Sequence, residues 1–177
     1  MKNTKYLLGI LLCIFSLILA KPTLAVENIF FNKIAKELAQ DFLSIGDSLE
    51  QQFYELKNFD ILGPAPPVTY LEFAYVISEL YPNWEYISPY QYATLNDHGG
   101  SWMYLAVVQI GYGYDYANMN GSTLPKVYSY PLTNSYGTVY GWINFYEASG
   151  YQSGQASVQA TSMNYPYNTL YDYLYIQ

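Results

Sequence analysis

The stretch TLYDYLYIQ (169–177) alternates aromatic and aliphatic side chains with a period of two. One side of an extended chain takes the tyrosines and the other takes the aliphatic residues: Tyr171, Tyr173 and Tyr175 against Leu170, Leu174 and Ile176. Such alternation is typical of a β-strand with one face on a hydrophobic core and the other toward water. The stretch therefore predicts a half-buried strand that presents a row of tyrosines to solvent.

Two earlier stretches show the same alternation. In SWMYLAVVQIGYGYDY (101–116) one face takes Trp102, Tyr104, Ala106, Val108, Ile110, Tyr112, Tyr114 and Tyr116. In TVYGWINFYE (138–147) one face takes Tyr140, Trp142 and Tyr146, and the other takes Val139, Ile143 and Phe145. We therefore expect an aromatic and an aliphatic surface on opposite sides of one sheet. The candidate ligand-binding residues on the aromatic surface are Trp102, Tyr104, Tyr140, Trp142 and Tyr146.

Turn signals divide the chain from residue 86 onward into short runs rich in β-formers. Candidate strands lie near 102–112, 126–131, 137–147, 155–162 and 168–176. The segments NDHGG, NMNGS, PLTNS and SGYQSG lie between or beside them and carry the residues that turns prefer. This region holds 18 of the 23 tyrosines and predicts an antiparallel meander of about five strands.

Residues 26–85 carry a helical pattern instead. Apolar side chains recur there at steps of three and four, on one helix face: Ile34, Leu38, Phe42, Ile45, Leu49, Phe53 and Leu56. GPAPPV (63–68) interrupts the pattern, and Thr69 with Glu72 forms a capping box ahead of YLEFAYVISEL (70–80). We therefore expect an α+β fold in one domain. Two amphipathic N-terminal helices (26–85) would pack on a roughly five-stranded, Tyr-rich antiparallel sheet (86–177).

Residues 1–25 have the features of a cleaved signal peptide. Lys2 and Lys5 precede an apolar run from Leu7 to Ala20, which is shorter than a membrane span of about 20 residues. Cleavage would remove Cys13, the one cysteine, so the mature chain would form no disulfide. Export without disulfides favours a bacterial secreted or periplasmic protein. We expect no transmembrane segment in the mature chain, because no second long apolar run occurs.

The charge of the chain excludes one class of partner. Without residues 1–25, four lysines remain against fourteen acidic residues, a net charge of −10, and the chain has no arginine. Such a chain repels phosphate backbones and lacks the bidentate side chain that usually recognises phosphate. Nucleic-acid binding is therefore excluded.

The segment NDHGGS (96–101) holds the one histidine, between Asp97 and Ser101. Asp97 could orient His98 to activate Ser101 or a water molecule, as general acid–base chemistry requires. Members of a catalytic triad, however, usually come from distant parts of a chain. Common turn chemistry explains the same residues, because Gly99 and Gly100 permit positive φ. The sequence therefore favours a turn over a catalytic site.

Other catalytic and metal-binding patterns are weak. Asp115 and Glu147 form a possible carboxylate pair for glycoside hydrolysis. No zinc-binding motif surrounds His98, and no phosphate-binding loop follows a strand. We expect no metal and no cofactor.

We therefore expect an exported, non-catalytic binding or adhesion protein whose Tyr/Trp face engages a glycan or a protein partner. Two alternatives are an acidic inhibitor or immunity protein for a basic partner, and a secreted hydrolase that uses Asp97, His98 and Glu147. A third is a matrix component that self-associates through exposed sheet edges.

Overall fold

The structure, a computed structural model, describes residues 24–45 and 65–177, with helix side chains described from 29 to 40. This part of the chain contains one helix, α1 (Leu24–Ile45), and nine strands. The strands are β1 (Tyr70–Ser78), β2 (Glu85–Tyr86), β3 (Met103–Ile110), β4 (Gly113–Met119), β5 (Ser122–Thr123), β6 (Lys126–Thr133), β7 (Val139–Glu147), β8 (Gly154–Ser162) and β9 (Thr169–Ile176).

The strands form two antiparallel sheets that pack face to face. The five-stranded sheet has the order β2-β1-β3-β7-β6, and the four-stranded sheet has the order β5-β4-β8-β9. Buried side chains from both sheets meet in one hydrophobic core, among them Phe73, Met103, Leu105, Val107, Ala117, Met119, Val158, Leu174 and Ile176. The fold is therefore a β-sandwich, in which the inner faces of the two sheets exclude water from each other.

Helix α1 covers the outer face of the five-stranded sheet. Its buried side chains are Phe31, Ala35, Leu38 and Ala39, which belong to a second hydrophobic cluster with residues of β1, β3, β6 and β7. The Phe31 ring lies 5.2 Å from the Tyr104 ring and 5.5 Å from the Phe145 ring, centroid to centroid. The apolar pattern that predicted a helix here thus faces a sheet, as amphipathic packing requires.

The predicted α+β fold with two N-terminal helices on one sheet is wrong, because the protein is mostly β. Residues 70–78, predicted as the second helix, form β1, whose central residues are buried on both faces between β2 and β3. A short, continuous apolar run does not distinguish such a strand from a buried helix. The expected capping box does not form: Thr69 N donates to Ile110 O, and Glu72 accepts from the Tyr70 hydroxyl.

The five strands predicted after residue 86 coincide with β3, β6, β7, β8 and β9, which confirms them individually. They do not form one meander, because the chain changes sheet between β3 and β4. A single strand was expected to run on from Trp102 to Tyr116, but Gly111 has a φ of +94° and ends it. The later part of the first predicted helix, including Leu49, Phe53 and Leu56, lies outside the described residues.

Asp172 joins the two sheets from the inner side of β9. Its Oδ2 accepts a hydrogen bond from Phe73 N at 2.8 Å. Burial raises the pKa of Asp172, although hydrogen bonds from Phe73 N and Tyr173 N oppose the change. The raised pKa means that the folded state binds this proton more tightly than the unfolded state. The charged carboxylate therefore lowers stability at neutral pH, and stability rises as pH falls through the folded pKa.

We expect Asp172→Asn to raise the free energy of unfolding at pH 7 by about 0.5–1 kcal/mol. The asparagine oxygen still accepts from Phe73 N, and the buried charge is removed. Urea unfolding at pH 7 and at pH 4 measures the change, and the gain should shrink at the lower pH. Asp97→Asn, an exposed change, serves as the control. Destabilisation by Asp172→Asn at pH 7 would show that the ionised carboxylate supports the fold.

Candidate functional site

The outer face of the four-stranded sheet carries two rows of exposed tyrosines. One row lies on β9 and the other on β4, and 45–72% of each residue is exposed: Tyr114, Tyr116, Tyr171, Tyr173 and Tyr175. Strand β8 lies between β4 and β9, so the two rows are separated by two strand spacings, about 9.5 Å. Tyrosine is amphipathic, and such rows are half-solvated surfaces that can still bind.

Between the two rows runs a line of uncharged polar side chains from β8. Its outward residues are Gln155, Ser157, Gln159 and Thr161, which alternate with buried Ala156, Val158 and Ala160. Gln159 pairs with Tyr116 on one side and with Tyr171 on the other. The surface is therefore a trough with tyrosine walls and a polar floor. We refer to these five tyrosines and four β8 residues as the tyrosine trough.

The tyrosine trough carries no charged side chain. The other outward positions of this sheet's three long strands are Asn118 and Thr169, and both acidic residues of the sheet, Asp115 and Asp172, lie on its inner side. The surface is thus neutral in a chain that is strongly acidic as a whole. Hydroxyl and amide groups, rather than ion pairs, are the polar contacts that it offers.

The sequence predicted one wall of this trough. The exposed Tyr171, Tyr173 and Tyr175 confirm the prediction made from TLYDYLYIQ, although the aliphatic side of β9 faces the other sheet and not a helix. The second wall was missed because Tyr114 and Tyr116 were assigned to the face of β3. The alternation of small apolar and polar residues in GQASVQATS (154–162) was the signal for the floor.

The five predicted ligand-binding residues do not form one surface. They are Trp102, Tyr104, Tyr140, Trp142 and Tyr146. Tyr140 is buried beneath α1 and Tyr146 in the inter-sheet core, with 3% and 1% of each residue exposed. Tyr104 packs under Phe31 with Trp102 beside it, ring centroids 6.3 Å apart, and Trp142 is half-buried against Tyr112.

A bulge in β7 explains why the predicted aromatic face divides. Val139 pairs with Thr133 and Gly141 pairs with Leu132, so Tyr140 has no partner in β6. An unpaired residue of this kind shifts the alternation of its strand by one position. Tyr140 therefore joins Ile143 and Phe145 under α1 instead of Trp142 on the opposite face. Nothing in the local sequence marks this bulge.

His98 lies in a buried polar cluster with residues from elsewhere in the chain. Its Nε2 lies 3.2 Å from Glu85 Oε2, and its Nδ1 lies 3.1 Å from Ser78 Oγ. A carboxylate only accepts, so Nε2 donates to Glu85, and Nδ1 shares a hydrogen bond with the Ser78 hydroxyl. Asp97 is exposed and is not the partner of His98. Gly99 and Gly100 both have positive φ, as the sequence predicted for them.

Glu85 is the centre of this cluster. One carboxylate oxygen accepts from Leu95 N at 2.6 Å and from Gln91 Nε2 at 3.2 Å. The other accepts from Asn96 N at 3.1 Å and Asn96 Nδ2 at 2.6 Å, as well as from His98. Burial acts to raise the pKa of Glu85, but the hydrogen bonds from Leu95, Asn96 and His98 outweigh it and lower the pKa. Glu85 thus anchors the loop that precedes β3.

Ser78, His98 and Glu85 have the serine–histidine–carboxylate connectivity of nucleophilic hydrolases. A nucleophile needs access to substrate, but Ser78 and His98 are 0% and 1% exposed. Ser78 Oγ also accepts a hydrogen bond from Tyr81 N at 3.2 Å. His98 N donates to Gln177 O at 2.6 Å, which joins the cluster to the segment after β9. The arrangement supports a structural clasp rather than a reaction centre.

Asp115 and Glu147, the predicted carboxylate pair, lie on opposite sides of the sheet that contains β7. Asp115 accepts hydrogen bonds from Asn144 and Tyr146, which lie on the inner face of β7. Glu147 follows Tyr146 directly and, by the alternation of a strand, points to the other side. Among the described residues, no group of three or more His, Cys, Asp or Glu side chains is placed to hold a metal ion.

No helix in the described part of the chain is long and apolar enough to span a membrane. Comparison with curated proteins finds none that matches this chain. A family match does extend over residues 63–176, a range that contains all nine strands and excludes α1. The chain belongs to the DUF4879 family, which is described as a domain of unknown function.

Proposed function

We propose that the protein is a non-catalytic binding protein that holds a neutral polysaccharide in the tyrosine trough. The observation that carries this proposal is the pair of exposed tyrosine rows, Tyr114 with Tyr116 and Tyr171 to Tyr175, on either side of an uncharged polar line. Exposed aromatic surfaces of this size on a folded domain mark binding sites.

A neutral polysaccharide matches the chemistry of each part of the trough. A sugar ring has an apolar face that stacks on a tyrosine ring, and its hydroxyls both donate to and accept from amides and hydroxyls. Gln155 and Gln159 on the floor supply amides, and Ser157 and Thr161 supply hydroxyls. The rows follow straight strands, so the trough favours an extended polymer over a compact ligand.

A protein partner is less well supported by the same surface. Protein interfaces also use tyrosine, but their strongest contacts combine it with arginine and tryptophan, which the trough lacks. An acidic inhibitor would meet its basic partner through carboxylates, and the trough has none. Export remains a prediction from residues 1–25, and it would bring the trough into contact with extracellular or cell-wall glycans.

Retention on neutral polysaccharides tests the proposal. We expect the wild type to be slowed in affinity electrophoresis on at least one of soluble starch, xylan, β-glucan and hydroxyethyl cellulose. Replacing both Tyr171 and Tyr173 by threonine should weaken retention at least about thirtyfold, since the loss of even one hot-spot aromatic costs about 2 kcal/mol. Threonine keeps the β-propensity of β9, so the fold should persist.

Tyr136→Thr provides the matched control. Tyr136 is 80% exposed in the turn between β6 and β7, outside the trough, so its replacement should leave retention unchanged. Equal retention of the double variant and the wild type would exclude the trough as the binding surface. Failure of the wild type on all four polysaccharides would overturn the glycan proposal in favour of a protein partner.

A further inference from the structure

A cleft opens between the two sheets, beside the edge strand β6. It has a volume of about 210 Å³, and its walls come from β3, β4, β6 and β7. Its lining includes six polar or aromatic residues: Gln109, Tyr112, Asp115, Lys126, Trp142 and Asn144. The cleft and the trough lie on opposite sides of β4, because Asp115 points inward between the outward Tyr114 and Tyr116.

Gln109 lines this cleft and carries a buried acceptor that is not used. The residue is 1% exposed, and its Nε2 donates to Gly111 O at 3.2 Å and to Gly113 O at 3.3 Å. These two carbonyls fix the orientation of the amide, because the reverse orientation would place Oε1 next to two carbonyl oxygens, where no hydrogen bond can form. Gln109 Oε1 then has no hydrogen-bond partner among the described residues. A buried acceptor of this kind is rare in folded proteins.

The charges in the cleft balance each other. Asp115 accepts from Lys126 Nζ at 2.5 Å, from Asn144 Nδ2 at 3.0 Å and from the Tyr146 hydroxyl. Burial and the negative charge of Asp115 raise the pKa of Tyr146, so this phenol keeps its proton and donates. Lys126 uses one of its three donor hydrogens in this network and is 32% exposed at its side chain. A neutral ligand with hydroxyl groups therefore fits better than an ion.

One wall of the cleft is aromatic and held in place. The Tyr112 and Trp142 rings meet edge to face, with centroids 4.8 Å apart and planes at 87°. The Tyr112 hydroxyl donates to Val139 O at 2.8 Å, which fixes the Tyr112 ring that supports the indole. A rigid aromatic plane beside a few converging polar groups is the usual arrangement of a small-molecule site.

We propose that this cleft is a second binding site, which holds a single neutral sugar unit. A sugar hydroxyl accepts from Lys126 Nζ, and the apolar face of the ring lies against Trp142. The proposal does not depend on the tyrosine trough, because it uses other residues and a ligand too small to span the trough.

Calorimetric titration of the full chain with glucose, galactose, mannose and N-acetylglucosamine tests the proposal. A ligand of about twelve non-hydrogen atoms sets the expected Kd on the order of 1 mM. We expect saturable binding of at least one sugar, weakened about tenfold or more by Trp142→Ala and by Lys126→Met. Lys126 is a surface side chain, so its variant keeps the test valid if Trp142→Ala fails to fold. Tyr136→Thr, outside both sites, should bind like the wild type.

The outcome of the sugar titration can be distinguished from the outcome of the polysaccharide retention experiment on the trough. No saturable heat with any of the four sugars, or equal binding by wild type and Lys126→Met, would overturn the cleft proposal, whatever the polysaccharide result. Binding of phosphate or of free lysine in place of sugars would overturn the neutral ligand class. Sugar binding without polysaccharide retention would support the cleft and overturn only the function proposed for the trough.

Discussion

Replacing Glu85 by glutamine is expected to lower the free energy of unfolding at pH 7 by about 2–6 kcal/mol. The carboxylate accepts hydrogen bonds through both oxygens, from Gln91, Leu95, Asn96 and His98. An amide has one acceptor oxygen, so either orientation turns its NH₂ group toward at least two of these donors. Each buried donor left without a partner costs about 1–3 kcal/mol. Urea unfolding followed by circular dichroism measures the loss.

The pH dependence of this difference identifies the carboxylate as its cause. The folded state lowers the pKa of Glu85, so the folded state binds the proton less tightly than the unfolded state. Its stabilising contribution is therefore full above the unfolded pKa of about 4.3 and is lost as pH falls through the folded pKa. We expect the gap between wild type and Glu85→Gln to be constant from pH 5 to 8 and to narrow below about pH 4.

Glu79→Gln is the matched control for Glu85→Gln. Glu79 follows β1 and accepts from Ser101 N at 2.5 Å, so it also joins β1 to the segment before β3. The side chain is exposed, and water can replace the lost hydrogen bond, so the change should have a much smaller effect. Equal losses in the two variants would show that the buried network around Glu85 adds nothing beyond a surface contact.

Burial, rather than the stability of this variant, distinguishes a clasp from a reaction centre. Ser78 and His98 are buried, and hydrogen bonds join the cluster to Tyr81 and Gln177. Only the positive φ of the glycines in NDHGG could be predicted from sequence, because Glu85 carries no local signal that it reaches His98.

The alternation of side chains predicted where the strands lie, but it did not predict which sheet each strand belongs to. The five strands predicted after residue 86 are present in the structure. They could be predicted because the alternation of side chains reflects the burial of each strand's two faces, which a short stretch of sequence shows. The assignment of strands and faces to the two sheets failed because it depends on single residues. Gly111 lies where the chain passes from one sheet to the other, and Tyr140 is the unpaired residue of the bulge in β7. Residues 70–78 were assigned to a helix although Tyr, Phe, Val and Ile dominate them, a composition that favours strands.

The proposed binding surfaces also divide into a part that could be predicted from sequence and a part that could not. The wall of the trough on β9 could be predicted because residues 169–177 alone show which side chains lie on each face of that strand. The wall on β4 could not, since its position depends on which sheet receives the chain after Gly111. Trp142 was selected as a ligand-binding residue for an aromatic face that does not exist, yet it lines the cleft between the two sheets. Its partners there, Gln109 and Asp115, come from strands of different sheets.

Gly111 allows the chain to pass from one sheet to the other. With its φ of +94°, an added Cβ would lie 2.6 Å from Pro67 C and 2.7 Å from Val68 Cα, and closer still to Pro67 O. The neighbouring hydrogen bond from Tyr112 N to Pro66 O, at 2.8 Å, holds the two backbones at this separation. Pro66 and Pro67 thus lie against the crossing point, and they lead into β1 rather than into a second helix.

Gly111→Ala is therefore expected to lower the free energy of unfolding by about 2–5 kcal/mol. Positive φ costs an alanine about 1–2 kcal/mol, and a clash with backbone that cannot rotate away adds about 1–3 kcal/mol. Gly137→Ala isolates the first contribution, because Gly137 has a φ of +79° and nothing within 4 Å of an added Cβ. Urea unfolding of both variants, followed by tryptophan fluorescence, gives the two losses. Equal losses would contradict the close approach of residues 66–68 to Gly111, and with it the path by which β3 is joined to β4.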